Sequence, residues 1–576
     1  MQRRKLLLAS LLFGALASTG NSQATVHTYS LNTWTTEFGL SVAGLGDLDG
    51  DGLPEAAIGQ SPIFGVPGTE GVAILRGGTG LPLRTFFAPA GSEWYGYSLA
   101  AQSDLNGDGL SELLIGAPGR PANASATTLV EVRDGASGAL LHSVTGPIAS
   151  GFGTAVLGLD DVDGDGVPDF AVGAPLDSTL FVKGGAVYVH SGATGALLRK
   201  IPGTSAQGKL GRSLASLPDQ ENDGSVEILA GAPGMNTAFL FSGASGSGLQ
   251  TFSGSTLARR FGYSVAAIAD VDGDALPDVL IGDPGELGEN GPNRGSARVH
   301  SNASAMELRV HKGGFWGDYL GHSVLGTEDL DFDGVGDYVI GIPMIDSGAL
   351  FPMGFIRAHS GATGQQLFSV SGPAVIGAFG FAMDNLGDFD GDGFHDIVVG
   401  APGADRALVI RAAQTQGPGT PFCYGDGSAA GCPCGNLNDG SLAAGRAGCS
   451  NSASTGGASM SALGTPSVAA ANLQLVASGL VPGTPGLYFQ GTQQVNGGSG
   501  QFFGDGLRCA GGPLIRMEVV TTDGAGHSGT LSNLSAAGAV QAGDFRTYQL
   551  WFRDPVGSLC GTGFNLSNGV EVLWEL

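Results

Sequence analysis

The chain has 576 residues, enough for two or three domains, and a formal net charge of −26, the wrong sign for binding nucleic acid or anionic lipid. Its 102 glycines follow no three-residue period, which excludes collagen, and a hydrophobic content of 42% is enough to bury real cores. Glycine in this amount fits an all-β protein with many tight turns.

The N-terminus reads as an export signal. Arg3, Arg4 and Lys5 form a basic start, an apolar run follows from Leu6 to Leu16, and Ala15-Leu16-Ala17 and Ser22-Gln23-Ala24 are small-residue cleavage sites. The run is too short to span a bilayer comfortably. The expectation is a signal peptide over 1–24 and a mature chain that is secreted, extracellular or cell-surface, with no transmembrane segment.

One unit then recurs seven times. Tyr95 to Pro118 reads YGYSLAAQSDLNGDGLSELLIGAP, Phe152 to Pro175 reads FGTAVLGLDDVDGDGVPDFAVGAP, and Phe261 to Pro284 reads FGYSVAAIADVDGDALPDVLIGDP. Copies also begin at Phe38, Leu210, Leu320 and Phe379. The first acids, Asp47, Asp104, Asp161, Asp219, Asp270, Asp329 and Asp388, are 57, 57, 58, 51, 59 and 59 residues apart. That period fits a four-stranded propeller blade with its loops. Runs such as "PDVLIG" are apolar without alternation, as in a strand covered on both faces, and the proline that follows ends the strand. "GAVYVHSG" at Gly185–Gly192 and "ALLRKI" at Ala196–Ile201 read as the third and fourth strands. The seventh unit has no fourth strand before the Gly/Pro linker at 414–421, and Val26–Trp34 has no blade of its own. We expect that segment to close the seventh blade within a propeller spanning 25–413.

Each unit carries an acidic loop approximating D-x-D-x-D-G-x-x-D. Acids at positions 1, 3 and 5 point inward when the backbone curls, glycine at position 6 allows the turn, the position 7 carbonyl adds an oxygen, and the acid at position 9 closes a cage suited to Ca2+. The first loop offers Asp47, Asp49, Asp51, the carbonyl of Leu53, and Glu55. The second offers Asp104, Asn106, Asp108, the Leu110 carbonyl and Glu112. The third offers Asp161, Asp163, Asp165, the Val167 carbonyl and Asp169. The fourth, degenerate, offers Asp219, Glu221, Asp223 and Glu227. The fifth offers Asp270, Asp272, Asp274, the Leu276 carbonyl and Asp278, with Ala275 in the glycine place. The sixth offers Asp329, Asp331, Asp333, the Val335 carbonyl and Asp337. The seventh offers Asp388, Asp390, Asp392, the Phe394 carbonyl and Asp396. An EF-hand would close with Glu at position 12 between helices, so this is a different loop. The loops hold 27 of the 52 Asp and Glu residues, and seven Ca2+ ions would bring the net charge to −12. The loops at Asp47, Asp161 and Asp388 are the most complete, and the one at Asp219 the least.

The Phe-Gly start, the acidic loop and the endings Gly116-Ala117-Pro118, Gly173-Ala174-Pro175, Gly231-Ala232-Pro233 and Gly400-Ala401-Pro402 resemble FG-GAP repeats, the units of the integrin α-subunit propeller. The resemblance covers about Phe38 to Ala413. It implies a seven-bladed β-propeller with calcium loops on one face, of a kind common in adhesion and ligand-binding proteins at the cell surface. In integrins only some blades carry calcium, whereas all seven are candidates here.

All six cysteines fall between Cys423 and Cys560, and an even number in one exported segment points to disulfides, with pairing open. Cys432-Pro433-Cys434 lacks zinc-site spacing. "LYFQGT", "LIRMEVV", "RTYQLWFR" and "VEVLWEL" read as strands of a small β-sandwich over 422–576, which resembles a C-terminal module of some secreted bacterial proteins. No H-E-x-x-H or G-x-S-x-G occurs, and the histidines define no site. His190 and His300 occupy equivalent third strands, and His322 and His395 repeat positions. The leading expectation is a non-enzymatic binding or adhesion module for an extracellular protein or glycan. A carbohydrate-active lyase or hydrolase working on the face opposite the calcium loops, and a structural surface-layer component, are the alternatives.

Overall fold

The computed structural model describes residues 25–574 apart from 31–36, 61–69, 121–122, 124, 288–292, 315–316, 332, 345–353, 373–376, 391–394, 413–419, 426–430, 438–446, 455, 464–465, 467, 469–472, 525, 531 and 556–559. The chain divides into two compact units, Met1–Ala413 and Gln414–Leu576. The signal peptide and most of the expected linker lie outside the described residues.

The first unit is an all-β propeller of seven four-stranded antiparallel sheets. Blade 1 runs through Phe38–Leu45, Glu55–Gln60, Gly71–Leu75 and Pro82–Phe87, from innermost to outermost strand. Blades 2 to 6 repeat that order. In blade 7 the strands Met383–Gly387, Asp396–Ala401 and Arg406–Arg411 are completed by Thr25–Ser30, which pairs antiparallel with the third strand from Thr25↔Ile410 to Ser30↔Arg406. The innermost strand of each blade touches that of the next all the way round, blade 7 against blade 1 included.

Burial follows strand position. The second strands, such as Glu112–Ala117 and Asp396–Ala401, are buried along their whole length, as expected of strands flanked by neighbouring blades on both faces. Outer strands such as Leu140–Thr145 are mostly half-buried or exposed. The first residue of each repeat is an inter-blade wedge. Phe152 packs with Val130 and Val144 of blade 2 and with Phe170 and Val172 of its own blade. Full burial of such a ring is worth about 2–3 kcal/mol.

Two further devices join the blades. The serine after the Phe-Gly pair donates to the carbonyl of the glycine one blade on: Ser41 to Gly96 (2.6 Å), Ser98 to Gly153 (2.9 Å), Ser264 to Gly321 (2.8 Å) and Ser323 to Gly380 (2.7 Å). Outer-strand side chains reach turn carbonyls of the next blade: Arg84 to Gly135, His142 to Gly192, Arg199 to Gly243, Gln250 to Asn302 and Arg309 to Gly361.

The second unit is held by three disulfides, Cys423–Cys509, Cys432–Cys449 and Cys434–Cys560. Its larger sheet contains Pro485–Gly491, Ile515–Thr521, Phe545–Arg553 and Gly569–Leu573. A second sheet of Ser459–Leu463, Gln474–Ser478 and Ser528–Gly529 shares a core with it, where Met460 and Leu475 meet Tyr488, Tyr548 and Trp574. The buried polar tips are satisfied in series: Trp574 Nε1 donates to the Tyr548 hydroxyl (3.0 Å), which donates to Gln490 Oε1 (2.9 Å). One four-residue helix, Leu534–Ala537, capped by the Asn533 side chain, stands where the sequence shows no helical period. No helix among the described residues is long and apolar enough to cross a membrane.

Candidate functional site

Every acidic loop joins the innermost strand of its blade to the second, so all seven lie on one rim of the ring. Their construction is common. The position 1 carboxylate gathers backbone N–H groups: Asp161 accepts from Gly164 (2.7 Å), Asp165 (3.2 Å) and Gly166 (2.7 Å). Asp47, Asp104 and Asp270 do the same with their own loops. At Asp104 the Gly109 N–H leads in holding the carboxyl below its usual range; at Asp47, Asp161 and Asp270 burial works against the shift, but the loop N–H groups outweigh it. Position 5 accepts from the position 7 N–H, as in Asp51 from Leu53, Asp108 from Leu110, Asp165 from Val167, Asp274 from Leu276 and Asp333 from Val335.

The position 6 backbone is left-handed, with φ +88° at Gly166 and +72° at Ala275. Alanine there is strained by about 1 kcal/mol relative to glycine, yet loop five keeps the shared geometry. Loop four departs further: Asn222, not glycine, takes the left-handed position 4 at φ +55°.

The position 9 acid is buried in every loop. One of its oxygens always accepts the position 2 N–H, from Leu48, Leu105, Val162, Gln220, Val271, Leu330 and Phe389 in chain order. The other oxygen divides the loops. In Asp169, Asp278 and Asp337 it accepts the N–H of Gly192, Asn302 and Gly361, in the turn between the third and outer strands. In Glu55, Glu112, Glu227 and Asp396 it is buried with no hydrogen-bond partner. The glutamates make no direct hydrogen bond to that turn, although the Gly77 N–H is close enough to act on Glu55. Blade 7 takes its outer strand from the N-terminus, and residues 413–419, beyond its third strand, lie outside the described ones. An unpartnered buried carboxylate oxygen is costly unless a cation satisfies it.

The carboxylates converge. Ligand oxygens lie within 4.8 Å of one another in the groups Asp47/Asp49/Asp51/Glu55, Asp104/Asp108/Glu112, Asp161/Asp163/Asp169, Asp270/Asp272/Asp278 and Asp329/Asp331/Asp333. Burial, followed by repulsion from neighbouring acids, raises Glu55, Glu112, Asp337 and Asp396 to about 7 and Asp331 to about 8. Donor type, spacing and orphaned oxygens fit a hard divalent cation. Asp392 and Phe394 lie outside the described residues.

The opposite rim carries residues that differ between the repeats. There the third residue of each repeat, at the start of the innermost strand, differs from blade to blade: Leu40, Tyr97, Thr154, Arg212, Tyr263, His322 and Phe381. Four of these interact. The Arg212 guanidinium stacks over Tyr263 (4.2 Å to the ring centre), Tyr263 faces His322 (5.1 Å), and His322 faces Phe381 (4.3 Å). His322 is therefore part of a cluster rather than an isolated repeat position. By contrast His190 and His300, with His359, bond through Nδ1 to turn carbonyls of their own blades, a structural role.

The FG-GAP repeat family matches residues 95–130, 152–190, 261–300 and 379–420. These are blades 2, 3, 5 and 7; the other three either start with leucine or lack the Gly-x-Pro ending, yet form the same sheet. Curated relatives are integrin α chains. Integrin alpha-V of Gallus gallus is 32% identical over 221 residues, 35% of this chain and 21% of the relative. Integrin alpha-5 of Xenopus laevis is 32% identical over 208 residues, 33% and 19% respectively. Integrin alpha-PS5 of Drosophila melanogaster is 31% identical over 179 residues, 28% and 17%. The chain spans about a fifth of the length of these relatives. The first unit is thus an FG-GAP β-propeller. It is similar to the propeller of integrin α chains and is joined in this chain to a disulfide-bonded β domain.

Proposed function

We propose that this protein is a secreted or cell-surface binding module whose propeller is stiffened by Ca2+ in its acidic loops and which holds an extracellular protein or glycan without turning it over. The observation that carries the reading is the repeated loop: seven buried position 9 acids, four with an oxygen that no protein group satisfies, each beside further carboxylates. Positions 1, 3, 5 and 9, with the position 7 carbonyl, would hold the ion, at up to seven sites. The cation would cancel the repulsion that raises the buried acids and would tie the innermost strand to the second. The disulfide-bonded second unit suits an oxidising compartment. Similarity to integrin α chains favours adhesion over catalysis.

Melting curves in calcium and in chelator, with a count of bound ions, test the first half. A large drop in melting temperature on chelation is expected, and superimposable curves would end the calcium reading. A glycan and protein array run beside a lyase and hydrolase screen tests the second half. Turnover of any polysaccharide would overturn the non-enzymatic assignment.

A further inference from the structure

The mouth of the ring opposite the acidic loops has a chemistry of its own. The innermost strands encircle the axis, so their first residues face one another across it. Arg212 of blade 4 lies over the Tyr263 ring of blade 5 and is within electrostatic reach of Tyr97 of blade 2. Trp94 stacks on Tyr97 at 5.3 Å and extends the aromatic wall. His322 Nδ1 is 3.2 Å from the Phe381 carbonyl, which makes it the donor, leaving Nε2 to accept from the Tyr263 hydroxyl at 3.4 Å. Burial, with Arg212 nearby, keeps this imidazole neutral. Arg260 adds a second positive charge within electrostatic reach of His322.

Arg212 has no counter-ion among the described residues. Among the described residues it joins none of the ion pairs, and the groups acting on it are phenols. In a chain with 52 acidic side chains against 26 basic ones, a half-buried guanidinium without a carboxylate among the described residues is unexpected. The acidic loops do not neutralise it: Asp270 lies seven residues beyond Tyr263, about 24 Å of extended strand, well beyond a screening length of about 8 Å.

We propose that this axial mouth is a ligand site for a carboxylated sugar of the hexuronate class, with Arg212 receiving the carboxylate and Tyr97, Tyr263 and Phe381 walling the ring. A guanidinium matches a carboxylate with two parallel N–H donors, and aromatic faces with a few fixed polar groups are the usual lining of a small-molecule site. The Tyr263 hydroxyl, oriented by His322, accepts from a sugar hydroxyl. The proposal rests on reading the propeller as a binding module, and not on calcium in its loops.

Glucuronate and glucose oligosaccharides of equal length, titrated calorimetrically into the full chain in calcium, test it. The acidic sugar should bind at least about tenfold more tightly than the neutral one, the contribution of a charge-assisted pair. Arg212→Gln should erase that preference, and Arg212→Lys should retain part of it, with the melting temperature and the response to chelator unchanged in both. Equal affinity for the two sugars, or an acidic peptide binding in preference to the uronate, overturns the proposal. So does an Arg212→Gln variant that loses stability but keeps the preference, since the arginine would then only plug the channel. A normal calcium response alongside absent uronate binding would defeat this site while leaving the calcium-binding reading standing.

Discussion

The carbonyl of Gly39, at the start of blade 1, lies so close to Gly400, on the second strand of blade 7, that a Cβ on Gly400 would overlap its oxygen. The same relation joins every neighbouring pair of blades: the glycine of the Gly-Ala-Pro ending faces the carbonyl of the Phe-Gly glycine in the next. Gly39 has φ +90°, which aims that carbonyl at the neighbour. The two halves of the repeat motif are therefore the two sides of one inter-blade contact, and Gly39 with Gly400 is where the ring shuts.

Gly400→Ala should consequently destabilise the propeller by about 1–3 kcal/mol through overpacking against backbone that cannot yield. Gly248→Ala, at a site where a Cβ meets nothing within 4 Å, is the control and should be nearly neutral. Urea unfolding of both variants measures the difference; equal midpoints would mean that the closure contact relaxes freely.

Glu112→Gln separates the metal role of the position 9 acid from its structural one. The amide oxygen still accepts the Leu105 N–H, while the orphaned Oε1 becomes an amide nitrogen that cannot ligate a cation. In calcium the variant should bind one ion fewer and melt lower. In chelator it should be at least as stable as the parent, because a buried carboxyl beside Asp104 and Asp108 has been removed. Ion counting by native mass spectrometry, with paired melts, checks both arms.

How far the sequence carried depended on whether a feature repeats. Seven in-phase copies from Asp47 to Asp388 defined the blades and loops, and the missing strand after Arg411 pointed to the N-terminal segment that pairs with Arg406–Ile410. A repeat comparison weighs what stays constant, so it missed Arg212 and set His322 down as a repeat position without a site, although both differ from their counterparts and meet only where the ring brings them together. The signal was present in the third column of the repeats. The orphaned oxygen of Asp396 has no local signal, because the same D-x-D-x-D-G-x-x-D pattern surrounds Asp169, whose two oxygens are both partnered. Disulfide pairing was equally out of reach, since Cys434 meets Cys560 across 126 residues.

A buried histidine, His359, and a half-buried one, His311, make blades 5 and 6 sensitive to acid. His311 lies 4.0 Å from His359 between ring centres and bonds to the Tyr338 hydroxyl at 2.8 Å. Burial pushes His311 down to about 3, with repulsion from His359 adding to it, and burial pushes His359 to about 4. In the unfolded chain both titrate near 6.5. The unfolded state therefore takes up more protons below that pH, and the stability these groups leave intact at neutral pH is lost progressively as pH falls from about 6.5 toward 4. His359→Phe should flatten the fall in melting temperature between pH 7 and pH 5 relative to the parent, both measured in calcium. Parallel pH profiles would place the acid sensitivity elsewhere.

The three disulfides should not contribute equally to the second unit. Cys434–Cys560 closes 126 residues and Cys432–Cys449 only 17. If cross-links act mainly on the unfolded chain, loop closure is worth about 5 kcal/mol for the long bridge and about 3 kcal/mol for the short one. Removing Cys434 and Cys560 together as serines should therefore lower the urea midpoint of this unit more than removing Cys432 and Cys449 together. Its core of Tyr488, Tyr548 and Trp574 contains none of the six cysteines, so both variants leave those side chains in place and tryptophan fluorescence follows the unfolding of each. A larger loss from the short bridge would show that native packing around Cys432 and Cys449, where Cys423, Cys509 and Phe422 are also buried, outweighs chain entropy in this unit.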